Sequence, residues 1–374
     1  MRLGVLIPGC MLALVLAIAA AAAAQSWRVA APGHPWSFPD DHHAMPAYRS
    51  EWWYLTGQVG AADAATPRFG VQMTIFRIGL APVRPPWRSD WAARDLVMGH
   101  LAVSDLESGR HLFSEVLTRA GPDRGGFPQP PDSVVAWVRA PAGTPDRWEI
   151  ARAGAGFRVR AADAHQGIGL DLVLTPERPR IFQGPGGYSV KDPEAAAGSL
   201  YYSYTRLDAH GTVIAGADTV AVSGRTWFDR EVFTSQLASR HVGWDWFGLH
   251  LDDGRDLMAF ALRDTAGRAD VTHATLVAAD GEVEWLDPPA DFLVPRRWWT
   301  SERTGARYPV AWRLTLPEVD LALDLEARFD DQENVGRRSG IVYWEGAVVG
   351  KTDRGVEVSG YGELTGYGGG PLPF

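Results

Sequence analysis

The chain is 374 residues long, with 36 Lys and Arg against 45 Asp and Glu and a formal net charge of −9. That length is more than one small core and suits two domains of roughly 150–200 residues each, and a composition of 46% hydrophobic and 22% charged residues describes a folded globular protein. A negative balance without a Lys/Arg-dense run argues against a nucleic-acid partner and against stable docking on an anionic membrane, so any membrane contact is expected to be transient.

Met1 and Arg2 lead into an apolar stretch from Leu3 to Ala24 that ends in a run of alanines. One early positive charge, an apolar core and small residues at 22 and 24 read as a secretory signal peptide over 1–24, cleaved before Gln25. A retained membrane anchor is the alternative, because the stretch is just long enough to span a bilayer. Cys10 has too short an apolar run before it for lipidation, and it leaves with the signal. The mature chain then has no cysteine, which excludes disulfides, thiolate chemistry and cysteine-built zinc sites. A periplasmic or secreted location is expected.

Residues 25–45 form a Pro- and His-containing arm read as irregular. Asp41-His42-His43 offers oxygen and nitrogen ligands, but neighbours in an irregular arm rarely converge on one ion. No metal and no cofactor are expected. From Glu51 the pattern becomes strand-like: EWWYLTGQV at 51–59 is rich in aromatic and β-branched residues, and FGVQMTIFR at 69–77 reads as its hairpin partner. A further hairpin spans 100–113, residues 80–95 and 120–133 read as Pro-rich loops with room for a short helix, and short strands recur to residue 224 without a long helical period.

The second half repeats the first in outline. WDWFGLHL at 244–251, a DDG turn and RDLMAFALR at 255–263 match the first hairpin in aromatic cluster, internal glycine, turn and terminal arginine (Arg77, Arg263). Two similar β domains are expected, 46–224 and 225–374, each with enough short strands to close into a barrel. The 16 Trp and 41 Gly fit an all-β protein with a large aromatic interior.

No G-x-S-x-G elbow, H-E-x-x-H helix, Walker loop or Rossmann fingerprint is present. The richest segment is GRTWFDRE at 224–231. On a strand Trp227, Asp229 and Glu231 share a face. Turned into a dry pocket, the carboxyls would hold a proton at higher pH than usual and serve as acids. Paired with Arg225 or Arg230, the same carboxyls would be plain structural ion pairs. Trp244, Trp246 and His250 share a face of the next strand, and Tyr202 and Tyr204 lie together on another. These rings read as walls for a long apolar ligand or as ordinary barrel core, with sugar binding a minor alternative.

EWWYLTG at 51–57, WFDRE at 227–231, GWDWF at 243–247, YWEG at 343–346 and GYGELTGY at 360–367 together resemble the AttH-like and carotenoid 1,2-hydratase superfamily, with fungal decalin-forming Diels–Alderases as distant relatives. The resemblance spans about 40–368 and implies an all-β fold of two lipocalin-like antiparallel β-barrel domains packed together. It implies an apolar small-molecule ligand (isoprenoid, lipid or secondary metabolite) and, in the hydratase branch, a lyase whose acid protonates an alkene to a carbocation that water captures. Asp229 falls at the acid of the hydratase Tyr-x-Asp motif, here Trp227-Phe228-Asp229, with Glu231 in support and Trp227, Tyr202, Tyr204, Trp244, Trp246 and His250 as ligand-binding residues. Tyr202 and Tyr204 replace the upstream His and Trp of the hydratases. The alternative implied by the AttH-like branch is a non-catalytic carrier or accessory protein of an ABC transporter. On that reading Glu51, Trp53, Tyr343, Glu345, Tyr361 and Glu363 are architectural, with rings filling barrel ends and acids pairing with arginines.

Overall fold

The computed structural model describes residues 26–370 apart from 63, 65, 84–88, 90, 91, 193–196 and 236. The expected signal segment and Cys10 therefore lie outside the described residues. The first part of the chain contributes β1 (Ser50–Gly60), β2 (Phe69–Gly79), β3 (Asp95–Asp105), β4 (Arg110–Arg119), β5 (Gly125–Gly126), β6 (Val134–Arg139), β7 (Arg147–Ala153), β8 (Gly156–Asp163), β9 (Ile168–Pro176), β10 (Ile181–Phe182), β11 (Tyr188–Asp192), β12 (Ala197–Ala215) and β13 (Asp218–Phe233). The second contributes β14 (His241–Leu251), β15 (Asp256–Asp264), β16 (Ala269–Val277), β17 (Val283–Leu286), β18 (Leu293–Thr300), β19 (Arg307–Leu316), β20 (Leu321–Ala327), β21 (Glu333–Val335), β22 (Val342–Thr352) and β23 (Glu357–Leu364). Helical structure among the described residues is limited to three short 3-10 turns.

All strand pairs are antiparallel and fall into two sheets. In the first the order runs β4-β3-β2-β1-β13-β12-β9-β8-β7-β6-β5, and the sheet curls until β3 and β4 face β6 and β9. In the second it runs β17-β16-β15-β14-β23-β22-β20-β19-β18. Each sheet thus opens with four meandering strands whose first member is closed by the sheet's last strand in sequence, β13 on β1 and β23 on β14. The likeness between the two hairpins in the sequence reflects this shared topology.

The chain leaves the first sheet after Phe233 and enters the second at His241, so the junction expected at 224/225 falls inside β13. Gly224 belongs to that strand because β1 passes close by: a Cβ there would stand 2.4 Å from the Gln58 carbonyl oxygen. The glycine marks close strand approach, not a linker.

Alternation along each strand divides the apolar residues among five clusters, of which three position the site. Trp53, Leu55, Phe157, Tyr202, Tyr204 and Phe228 fill the first barrel, and Phe247, Trp312, Trp344 and their neighbours fill the second. A third cluster, with Tyr54, Tyr201, Trp227, Trp244, Trp246 and Phe260, lies between the sheets. Gln58 joins the sheets directly, its amide donating to the carbonyls of Val348 and Gly360 at 2.9 Å each.

The N-terminal arm packs over the first barrel. It forms a 3-10 turn at Asp40–His42, and Trp36 and Phe38 lay their rings against Tyr202. His42 Nδ1 is 2.7 Å from the Tyr202 hydroxyl, and His43 Nδ1 is 2.9 Å from the Pro128 carbonyl. Asp41 accepts from the Ser37 amide at 2.6 Å. The three side chains expected as marginal metal ligands thus point to three different partners.

The start of β1 is held by Glu51, 1% exposed, which accepts hydrogen bonds from both Arg77 of β2 and Arg230 of β13 and from the Met45 amide. Burial opposes its charge, but the two guanidiniums win and hold the carboxyl below the ordinary carboxylate range. Glu51→Gln leaves two buried guanidiniums without their counter-ion. It is expected to cost about 3–5 kcal/mol, the range for breaking a buried ion pair on one side, measured as the shift in a urea unfolding curve.

Candidate active site

β13 carries Trp227, Asp229 and Glu231 on its outward face, as its period of two requires, and Phe228 and Arg230 on the barrel face. The outward face meets the second sheet, and a cavity opens between them. It contains ≈ 760 Å³ of atom-free space with its mouth included. The shape is a slot. Its first-sheet wall is Trp52 and Tyr54 of β1, Phe76 of β2 and Tyr201 of β12; its second-sheet wall is Trp244 and Trp246 of β14 and Phe260 of β15. Four carboxyl groups face into this aromatic slot: Asp229, Glu231, Glu345 and Glu363.

Asp229 is 2% exposed. Its Oδ1 accepts from Ser203 Oγ at 2.5 Å and Trp227 Nε1 at 2.6 Å, and its Oδ2 accepts from the Tyr201 hydroxyl at 2.8 Å. Tyr201 in turn accepts from Trp246 Nε1 at 3.2 Å, which fixes its hydroxyl proton toward Asp229. Among the described residues no arginine pairs with Asp229: Arg230 is on the other face with Glu51, and Arg225 is exposed. Burial raises the Asp229 carboxyl to about 7; the three hydrogen bonds favour the carboxylate and hold it there, while the charge of Glu231 adds to the rise. The group is therefore poised to give or take a proton near neutral pH.

Glu231 is the member of the set with a lysine partner. It accepts from Ser199 Oγ at 2.5 Å and lies 3.2 Å from Lys191 Nζ, itself 3% exposed and seated over the Phe260 ring at 4.0 Å. Glu363 is pushed up to about 8, chiefly by burial, against a hydrogen bond from Trp244 and with help from the charges of Glu231 and Asp229. Burial, with Glu363 beside it, raises Glu345 well above its usual range. Tyr54, Tyr201 and Tyr343 are also driven upward by burial, so their phenols stay protonated as neutral donors.

A family model described as AttH-like matches residues 29–367. The chain belongs to the AttH-like family. A putative AttH from Nitrosomonas europaea, 33% identical, superposes with a TM-score of 0.78 over 91% of this chain and 99% of that one. Kievitone hydratase from Nectria haematococca superposes with a TM-score of 0.63 over 91% of this chain and 96% of that one; at 15% identity that likeness speaks for the fold alone. The dehydratase asqC of Emericella nidulans is 26% identical over 192 residues, 48% of this chain and 51% of that protein, so the chain spans about half the length of this curated relative. The fold is thus the lipocalin-like, two-barrel architecture that the sequence motifs imply, and a dehydratase is among the proteins whose sequence the chain resembles.

The AttH-like cavity gathers Asp229, Glu231, Trp244 and Trp246 from the residues singled out in the sequence. Trp227 reaches it only through its Nε1 bond to Asp229, and its ring lines a second pocket between the sheets. His250, on the same strand face as Trp246, also lines that second pocket and is held by Asp256 at 3.0 Å. Gly248 explains the divide: the Trp246 indole folds over it, and a Cβ there would stand 2.6 Å from Trp246 Cη2. Tyr202 and Tyr204 are not in the cavity but in the first barrel under the arm. Their neighbours Tyr201 and Ser203 take the cavity face, because alternation puts odd and even residues of β12 on opposite sides and register sets Ser203 opposite Asp229.

The family motifs imply arginine partners for the acids at 345 and 363. Glu51 is such an acid, but Glu345 and Glu363 are cavity groups, as are Lys191, Tyr54 and Tyr343. The period of two in GYGEL and YWE was a usable signal, since it separates Tyr343 and Glu345 from core Trp344. Nothing local marked which side faced a second sheet.

The donor arrangement around Asp229 can be tested directly. Tyr201→Phe removes a hydrogen bond that favours the carboxylate, so the Asp229 pKa rises. A hydrogen bond to a charged group is worth about 1.5–3 kcal/mol and a unit of pKa about 1.36 kcal/mol, which sets the expected rise at roughly one to two units by carboxyl carbon NMR. A pKa left at its wild-type position would show that this bond does not tune the acid.

Proposed function

We propose that this protein is a hydro-lyase acting on an apolar, isoprenoid-like or related secondary-metabolite substrate, with Asp229 as the general acid. The observation that carries the proposal is Asp229 itself: a buried carboxyl, free of any arginine partner among the described residues, held near a pKa of 7 in an aromatic slot. Hydration of an alkene and its reverse both pass through a charge-deficient carbon. The acid delivers a proton to the double bond or, in reverse, to the leaving hydroxyl, and water adds or departs. Dryness favours the protonated acid, and the faces of Trp52, Trp244 and Trp246 suit a developing cation. A sequence relative named as a dehydratase supports the same reaction class.

The Lys191–Glu231 pair places one ammonium at an otherwise neutral or acidic wall, so a substrate oxygen at that end would orient the apolar body along the slot. Export belongs to the same proposal, with Gln25 as the first residue found on N-terminal sequencing of protein purified from its own host.

Native mass spectrometry of that protein, followed by organic extraction, identifies what the slot holds. Turnover of the recovered compound is then expected to fall about 10²–10⁴-fold in Asp229→Asn, the usual contribution of a positioned acid, with affinity kept. Activity that needs the protonated form is present at acidic pH and declines as pH rises through about 7. A phospholipid or fatty acid that leaves chemically unchanged, with equal behaviour of the Asn variant, would instead establish a carrier.

A further inference from the structure

The cavity holds more acid than a single proton transfer needs. β22 and β23 pair with Glu345 directly opposite Glu363. Directly opposite residues of an antiparallel pair project to the same face with Cβ atoms about 5 Å apart, and both side chains line the cavity, Glu345 with 1% exposure. Two other buried acids are neutralised by arginine: Glu51 by Arg77 and Arg230, Asp256 by Arg206 and Arg178. Among the described residues this pair has no such partner. Two like carboxylates this close in a dry site do not both ionise.

We propose that Glu345 and Glu363 share a proton and form a second proton-transfer group, carried by the second sheet as Asp229 is carried by the first. The groups facing the pair agree with this. Lys191 of β11 is the ammonium of the cavity, and it is bound to Glu231 of β13 at 3.2 Å. His100 of β3 has Nδ1 at 2.8 Å from the Tyr343 hydroxyl of β22 and Nε2 turned to Glu115 at 3.7 Å. Tyr54 of β1 stands opposite Asp229 in register, with its hydroxyl directed to Glu345. Asn334 donates to Glu345 at 3.3 Å, a neutral contact that suits an acid as well as an anion.

The inference rests on the hydro-lyase reading for its chemistry. In the dehydrating direction Asp229 gives its proton to the substrate hydroxyl, the C–O bond breaks and water leaves with the electron pair. The ionised oxygen of the glutamate pair takes the proton from the adjacent carbon, and the C–H electrons become the double bond. The pair ends one proton richer and Asp229 one poorer. Asp229 and the pair line the same cavity, so water that enters it after product leaves can carry the proton from the pair back to Asp229, which restores both. Hydration runs the same transfers backward.

The test is infrared titration of the carboxylic-acid C=O band in the full chain without ligand, in an Asp229→Asn background so that the pair reports alone. The expected result is an acid band that persists from pH 6 to 8 and disappears when Glu345→Gln and Glu363→Gln are added. Glu363→Gln alone should lower the midpoint of the remaining acid by about one unit or more, the coupling that marks a shared proton; this single variant also serves if the combined one fails to fold. No band at pH 7, or a midpoint unmoved by losing either partner, overturns the shared proton. On the compound recovered by extraction, Glu363→Gln in the otherwise native chain should lower kcat about 10²-fold with KM kept, and an unchanged kcat overturns the transfer role. The band is read without substrate, so it stands or falls apart from the role of Asp229, which turnover of Asp229→Asn alone decides.

Discussion

Glu51 lies in the start of β1 with Arg77 on one side and Arg230 on the other, all three buried. The chemistry of the cavity depends on this triad. Arg230 is the immediate neighbour of Asp229 in the chain and the arginine closest to it in sequence. Strand alternation sends the two side chains to opposite faces, and Glu51 retains the arginine inside the first barrel over the Trp53 ring at 4.1 Å. Asp229 is left with dipoles as partners, and burial then dominates its proton affinity. A charged partner would oppose that rise. The second hairpin repeats the device with Asp245 and Arg263 at 2.9 Å, again on the face away from the cavity.

The two sheets contribute unequal halves of one site. The first supplies the donor-surrounded Asp229 and the ionic Lys191–Glu231 pair; the second supplies the tryptophan wall and the facing glutamates. Neither half is a pocket alone. Each is the outer face of a barrel whose interior is already packed with its own apolar residues, so the slot exists only because those faces are pressed together. Carboxyls held neutral in such a place reduce stability as pH rises from their ordinary range toward their raised folded values, since the unfolded chain releases those protons first. The triads of acid and arginine in the barrels act in the opposite sense and offset that cost.

The same packing fills the barrels themselves. Trp53, Tyr202, Tyr204 and Phe228 fill the first barrel and the arm seals it with Trp36 and Phe38, while Trp312 and Trp344 fill the second. Lipocalin-like walls are here a means of presenting rigid outer faces. Asp229, Tyr201 and the glutamates sit on paired strands, where register holds them within a narrow range of positions, as proton transfer over hydrogen-bond distances demands.

The all-β character, the doubled hairpin, the family motifs and the pairing of Asp229 with Glu231 were legible in the sequence because a strand's period of two is a local property. So was the sharing of a face by Trp244 and Trp246. Which face of each strand looks into its own barrel and which toward the other sheet is not local. It hung on register and on the packing of the two sheets, and it moved Tyr201 in and Tyr202 and Tyr204 out. The same packing turned Glu345 and Glu363 from arginine partners into cavity acids. The absence of an arginine beside Asp229 was likewise a tertiary outcome: adjacency in the chain puts Arg230 next to it, and only the fold shows that Glu51 holds that charge on the far side of the strand.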